Sequence, residues 1–166
     1  MPKLSAGILL YRSRDQIFEV FLVHPGGPFW AKKDQGAWSL PKGEYIEGED
    51  AWAAARREFT EETGQSAPTG EPTELGEVKY GNKRLTAWAV QGDLDHRNIQ
   101  SNLFSMEWPP RSGKTEEFPE VDKAGWFDLA TARQKLVSGQ VDFVIRLEEK
   151  LDIPAPTPPP EQTSLL

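Results

Sequence analysis

Between Gly43 and Gly64 the chain carries Glu49, Arg57, Glu58, Glu61 and Glu62. On a helix turning by about 100° per residue, with Glu58 at zero, Glu62 falls at about +40° and Glu61 at about −60°, so three carboxylates share one face. Trp52, Ala55 and Phe59 gather on a neighbouring arc as the apolar stripe that packs on a sheet. Ala51 and Ala54 lie beside the carboxylates, where small side chains leave room for a substrate. As a merely structural helix this is unfavourable. Glu58 opposes Glu61 and Glu62 at i,i+3 and i,i+4, at about 0.2–0.5 kcal/mol each, and anions in the last turn oppose the macrodipole. Arg57 can pair with Glu61 and offset part of this. A solvated acidic face is the ordinary reading of Glu-rich helices. The chemical alternative is a set of hard oxygen ligands for Mg²⁺ or Mn²⁺.

The surrounding elements follow from periodicity. Leu4–Tyr11 and Ile17–His24 are apolar runs about a polar stretch and read as a hairpin, ended by Pro25-Gly26-Gly27-Pro28. A helix is expected over 49–63 with Gly64 as its stop, then strands over 74–80 and 84–91. Residues 92–120 read as one long loop, punctuated by Pro109-Pro110 and Ser112-Gly113. A loop of that length is usually functional or an insertion. Gly125-Trp126-Phe127 reads as a strand end, Asp128 as the cap of a helix over 129–138, and Val141, Val144, Ile145 and Leu147 as the apolar face of a last helix. Strands mixed with helices predict an α/β fold, a mixed sheet flanked by helices. The domain is expected over 3–152. Residues 153–166 hold five of the 14 prolines and read as a Pro-rich disordered tail.

Composition narrows the function classes. The 166 residues are one domain's length, with 27% charged and 37% hydrophobic. No apolar run approaches the roughly 20 residues that span a bilayer. There is no Cys, which excludes thiolate metal sites and a Cys nucleophile and fits a cytoplasmic location, and two His are too few for a His-based metal cluster. A net charge of −7 makes non-specific binding of nucleic acid or anionic membrane unfavourable. A nucleotide remains compatible, because a divalent cation can bridge clustered carboxylates to phosphates. Oligomeric state is not legible.

Read in full, the segment is G-x5-E-x7-R-E-φ-x-E-E-x-G, φ being apolar, with seven fixed identities: Gly43, Glu49, Arg57, Glu58, Glu61, Glu62 and Gly64. Chance gives such a match roughly 10⁻⁸ per start point at average residue frequencies. The segment resembles the signature of the Nudix hydrolases, which cleave nucleoside diphosphates linked to a further group. Phe59 and Gln65 depart from the usual aliphatic pattern without touching the carboxylates. The resemblance implies a Nudix-type α/β/α sandwich with a mixed central sheet. It implies a pyrophosphohydrolase in which water attacks phosphorus, with Mg²⁺ or Mn²⁺ held by the Gly43 carbonyl, Glu58, Glu61 and Glu62. Arg57 would orient a carboxylate and Glu49 would support the site from behind. The general base would be Glu58 or a later loop glutamate. Glu120 looks like the loop glutamate of the asymmetric dinucleoside-tetraphosphate hydrolases, with Glu116 and Glu117 near enough to be confused with it.

Substrate is less sharply marked. Tyr80 stands where members acting on diadenosine polyphosphates carry a Tyr that could stack on a base. Lys83 and Arg84 resemble that subgroup's basic strand, and Trp38 and Lys42 resemble its approach to the metal loop. These residues make a dinucleoside polyphosphate the favoured substrate, with a (d)NTP pyrophosphatase that clears damaged nucleotides, an enzyme trimming RNA 5′-phosphates, and a nucleotide-binding regulatory module as alternatives. Arg111, Ser112, the Gly113 amide and Lys114 could form a phosphate-binding turn or an ordinary surface loop with Trp108 packed on the domain. It is not a P-loop, since the G-x4-G-K-[ST] spacing is absent. His24 reads as structural, and Trp30 as core or as lining for a base pocket.

Overall fold

The computed structural model describes residues 2–153. Strands β1 (Lys3–Arg14), β2 (Ile17–Pro25), β3 (Lys42–Tyr45), β4 (Thr73–Tyr80), β5 (Lys83–Gln91) and β8 (Val121–Asp128) form one mixed sheet. Its order is β4-β5-β1-β2-β8, and β3 lies beside the first half of β1. The β1–β5 pairing is parallel and the others are antiparallel. Helix α1 (Ala51–Thr63) covers one face, and α2 (Leu129–Lys135) and α3 (Val141–Lys150) cover the other. The central strands are apolar on both faces, and their period of two sorts the side chains. Ala6, Ile8, Leu10, Phe21 and Val23 pack with Ala54, Ala55 and Phe59 of α1. Leu9, Tyr11, Val20 and Leu22 pack with Phe143, Val144 and Leu147 of α3. This is the α/β/α sandwich expected.

Three details correct the sequence reading. Residues 92–120 are not one long loop. A short 3₁₀ turn at His96–Asn98 leads to the antiparallel hairpin of β6 (Leu103–Glu107) and β7 (Thr115–Pro119), so the Pro-Pro and Ser-Gly signals punctuate a hairpin loop. Ala54 is fully buried in the α1 core, so its small size serves helix–sheet approach and leaves no room for a substrate. On α3 the expected face shifts, with Phe143 buried and Ile145 only partly so. Of the Pro-rich segment read from residue 153, Ile153 packs against the core, and residues 154–166 lie outside the described residues.

Candidate active site

Helix α1 begins where the sequence permits it to begin. Asp50 is extended (φ −68°, ψ 122°), and its side chain accepts a hydrogen bond from the Ala53 amide. The helix stops at Gly64, whose left-handed φ of 74° a glycine adopts without strain. Buried Phe59 then fixes the rotation that leaves Glu58, Glu61 and Glu62 directed away from the core. The β3 backbone crosses close to this face. A Cβ at residue 43 would overlap the Glu58 carboxylate, so the strand lies directly against that side chain and any larger residue there would displace it. Glu62 Oε1 accepts from the Lys42 amide at 3.1 Å. The loop before the helix and the acidic face of the helix thus form one unit.

Arg57 is the hub of this unit. Its guanidinium pairs with Glu49, donates to Glu58 Oε1 at 3.3 Å and to the Glu44 carbonyl at 3.3 Å, and lies 4.0 Å from Glu61. Hydrogen bonding to Glu49 holds its pKa above the ordinary range. The role expected for Arg57 and Glu49 thus acquires a geometry: Glu49 faces Arg57, and Arg57 faces Glu58.

Glu120 reaches the same place from the bend between β7 and β8 through a chain of backbone bonds. The Asn102 amide donates to the Glu61 carbonyl at 2.9 Å, and the Glu120 amide donates to the Asn102 carbonyl at 2.8 Å. The Gly26 amide donates to the Glu120 carbonyl at 2.9 Å. The Glu120 backbone is therefore fixed between the end of α1 and the loop after β2. Asn102 did not stand out in the sequence and Gly26 did so only within the stop that ends the hairpin, since each acts here through its main chain. A Cβ on Gly26 would overlap the Pro119 carbonyl, which is a signal of close approach only once the fold is known.

The electrostatics are those of crowded anions. Burial pushes the Glu62 carboxyl up to about 8, and the Glu120 and Glu58 charges add to this against the nearby Lys42. Burial and then the Glu61 charge raise Glu58, against Arg57. Burial and then Glu61 also raise Glu120. Burial disfavours each ionised form and like charges reinforce it. Among the described residues no three acidic or His side chains are already drawn into one coordination sphere. Glu58 nevertheless faces both Glu61 and Glu62 across one helix turn, at about 5–6 Å between Cβ atoms. Their oxygen chemistry, their mutual crowding and the close-fitting backbone at Gly43 suit a small hard cation.

A cleft of about 460 Å³ opens beside this unit. Lys42, Glu62, Tyr80, Lys83 and Glu120 all line it, together with Trp30, Ser39 and the turn Ser138–Gln140. Arg84 is not among them. Its neighbour Lys83 faces the cleft, and Arg84 lines a separate groove with Lys3, Glu44, Tyr45 and Ile46. Arg111 and Lys114 are exposed in the loop of the β6–β7 hairpin and do not line the cleft. Glu116 and Glu117 lie on β7, exposed and outside it. Trp108 packs edge-on to Phe29 at 5.6 Å. Trp38 is buried and donates to Asp34 at 2.8 Å. His24 is fully buried, with Nδ1 2.8 Å from Asp122 and Nε2 2.6 Å from the Lys33 carbonyl. The sequence reading missed Ser39, Ser138, Gly139 and Gln140, which reach the cleft from the segment before β3 and the turn before α3 and carry no motif of their own.

Known proteins share this architecture. The structure is similar to an Ap4A hydrolase binary complex from C. elegans, with a TM-score of 0.63 and 20% identity over 90% of this chain and 98% of that one. It is also similar to the NUDIX domain of Shewanella oneidensis NrtR complexed with ADP ribose, with a TM-score of 0.62 and 18% identity over 91% and 89% of the two chains. At those identities the likeness is one of fold. In sequence, 89 residues are 38% identical to an 8-oxo-(d)GTP phosphatase of Mycolicibacterium smegmatis, covering 51% of this chain and 27% of that protein. The chain therefore spans about a quarter of that relative's length. Across residues 1–147 it matches the NUDIX domain, and with the complete signature set on a loop, helix and cleft of this form, the chain belongs to the Nudix family.

Proposed function

We propose that the protein is a Mg²⁺- or Mn²⁺-dependent pyrophosphohydrolase of nucleoside polyphosphates, with a dinucleoside polyphosphate such as Ap4A as the favoured substrate. The observation that carries this reading is the shared cleft: Glu62 and Glu120, two cations and two aromatic rings line one cavity beside the signature helix. Glu58, Glu61, Glu62 and the Gly43 carbonyl would hold the cation. When bound, the cation supplies positive charge at the phosphates and favours ionisation of the attacking water. The chain's own residues do the rest. Lys42 and Lys83 bind the polyphosphate as point charges, and Tyr80 supports a base. Arg57 orients Glu58, and Glu49 holds Arg57. Glu120 accepts the proton of the attacking water, because Glu58 is already engaged by Arg57. The Ap4A hydrolase likeness and the placement of Tyr80 and Lys83 support the dinucleoside substrate.

The resemblance to an 8-oxo-(d)GTP phosphatase favours a second reading, a (d)NTP pyrophosphatase that clears damaged nucleotides. A product assay separates the two. Ap4A, ATP, 8-oxo-dGTP and ADP-ribose are each incubated with and without Mg²⁺, and the products are resolved by chromatography. Metal-dependent formation of ATP and AMP from Ap4A is expected. Preferential conversion of 8-oxo-dGTP to its monophosphate would replace the first reading with the second. Nucleotide binding without turnover under Mg²⁺ or Mn²⁺ would support a regulatory module instead.

A further inference from the structure

The cleft has a wall made of bare backbone. Gly139 sits in the turn Ser138–Gln140 between α2 and α3 and lines the cleft beside Tyr80. A Cβ built on Gly139 would lie 3.2 Å from Tyr80 Cδ1 and 3.3 Å from its Cγ, tighter than ordinary van der Waals contact. Gly139 is not among the residues with positive φ. Its backbone would accept a side chain, and the Tyr80 ring would have to give way by a few tenths of an ångström to admit one. The constraint at this position thus comes from the neighbouring ring and not from the turn.

The turn is also held rigidly. Gln140 is fully buried; its Oε1 accepts from the Leu40 amide at 3.0 Å, and its Nε2 donates to Ser39 Oγ at 2.9 Å. The Val137 amide donates to the Trp38 carbonyl at 2.9 Å. The turn is tied to the segment that leads into Lys42 and Gly43, so it cannot yield readily to a side chain at 139, and the displacement falls on Tyr80. That ring ends β4, is half-buried, and has Lys83 Nζ 6.0 Å from its centroid. Trp30 lines the same cleft and has Lys33 Nζ 4.8 Å from its ring centroid. Two aromatic rings with Ser138 at the same wall suit a flat heteroaromatic base with a hydrogen-bonding edge.

We propose that Gly139 is a specificity-determining residue: by presenting no side chain it sets the position of the Tyr80 ring and keeps open a slot that takes the nucleobase of a nucleoside polyphosphate. The inference rests on the cleft being the nucleotide site. The prediction is graded, with Ala displacing the ring by a few tenths of an ångström and Val by more.

The test is binding of α,β-methylene-ATP, whose bridging carbon resists hydrolysis, compared with inorganic tripolyphosphate, which has no base, each by calorimetric titration of the full chain with Mg²⁺. Gly139→Ala is expected to weaken the nucleotide analogue about 5-fold, and Gly139→Val more, with tripolyphosphate unchanged within about twofold. In a Tyr80→Ala background the Gly139→Ala substitution is expected to have no further effect, because the ring through which it acts is gone. Unchanged nucleotide affinity in Gly139→Ala overturns the inference. So does equal weakening of tripolyphosphate, or a Gly139→Ala effect that persists without Tyr80. If Gly139→Val fails to fold, Gly139→Ala and its double variant carry the test. Wild-type protein that binds tripolyphosphate but no nucleotide overturns the nucleotide reading of the cleft and the inference with it; wild-type nucleotide affinity that Gly139→Ala leaves untouched overturns the inference alone.

Discussion

Lys83 and Arg84 are adjacent in β5, and the strand period sends their side chains to opposite faces. Lys83 lines the cleft, and Arg84 the groove beside Glu44 and Tyr45. Lys83→Ala should raise KM for a nucleoside polyphosphate by about 10-fold, the loss of one charge-assisted contact of about 1.5 kcal/mol. Arg84→Ala should leave KM within about twofold, and steady-state kinetics on the two variants checks the pair. The glutamates divide in the same way. Glu61→Gln removes a proposed cation ligand, so both activity and Mn²⁺ affinity should fall. Glu120→Gln should lower kcat by about 100-fold or more and leave Mn²⁺ affinity, read by calorimetry, near wild type. Glu49→Gln would loosen Arg57 and should lower metal affinity about 10–100-fold, the usual effect of disturbing a residue behind a ligand.

At the scale of elements, legibility tracked how local each signal is. Helix α1 declared itself because its cap, apolar stripe and acidic face all lie within one stretch of chain. Strands β1, β2, β4 and β5 followed from apolar runs and alternation. The β6–β7 hairpin did not, because its strands are short and mostly exposed, with a weak alternation of Leu103 to Glu107. The cleft was legible only in part. Tyr80, Lys83 and Glu120 carried marks of type and spacing, whereas Asn102, Gly26 and Gly139 act through backbone and close approach, which a sequence does not display. His24 shows how such distant pieces are joined. Its ring holds Lys33, in the loop that carries Trp30, and Asp122, two residues beyond Glu120. His24→Phe would keep a ring against Trp38, now 5.2 Å away, and leave two buried hydrogen bonds unmade. Unfolding by urea should show a loss of about 2 kcal/mol, with an unchanged m-value if the native fold persists.

For the whole molecule, the crowding of acidic groups on the signature helix and in the cleft beside it links stability to pH and to the proposed metal. Glu62 titrates at about 8 in the folded, metal-free chain and Glu58 and Glu120 are raised as well, whereas a carboxyl in the unfolded chain titrates at about 4.3. Between those values the native state binds more protons than the unfolded state, so stability falls as pH rises. The carboxyl of Asp34, lowered by its hydrogen bond from Lys135, acts in the opposite sense, and only at pH values below the ordinary carboxylate range. The window from about pH 5 to 8 lies above that range, and Glu62 titrates at its upper end. Metal-free protein should melt at progressively lower temperature across that window, by an amount on the order of a few kcal/mol in total. Ions that bind the folded state alone add stability by mass action, and the carboxylates they require are ionised more fully at high pH. Mg²⁺ or Mn²⁺ should accordingly raise the melting temperature more at pH 8 than at pH 5.5. Glu62→Gln removes the largest raised group without changing its size, so it should flatten the metal-free profile and melt above wild type at pH 8, while gaining less from metal. Calorimetric melts of both proteins, in chelator and in Mn²⁺ at the two pH values, check all of this. A wild-type midpoint that rises from pH 5.5 to pH 8 in chelator would contradict the charge distribution on which the proposed cation site rests.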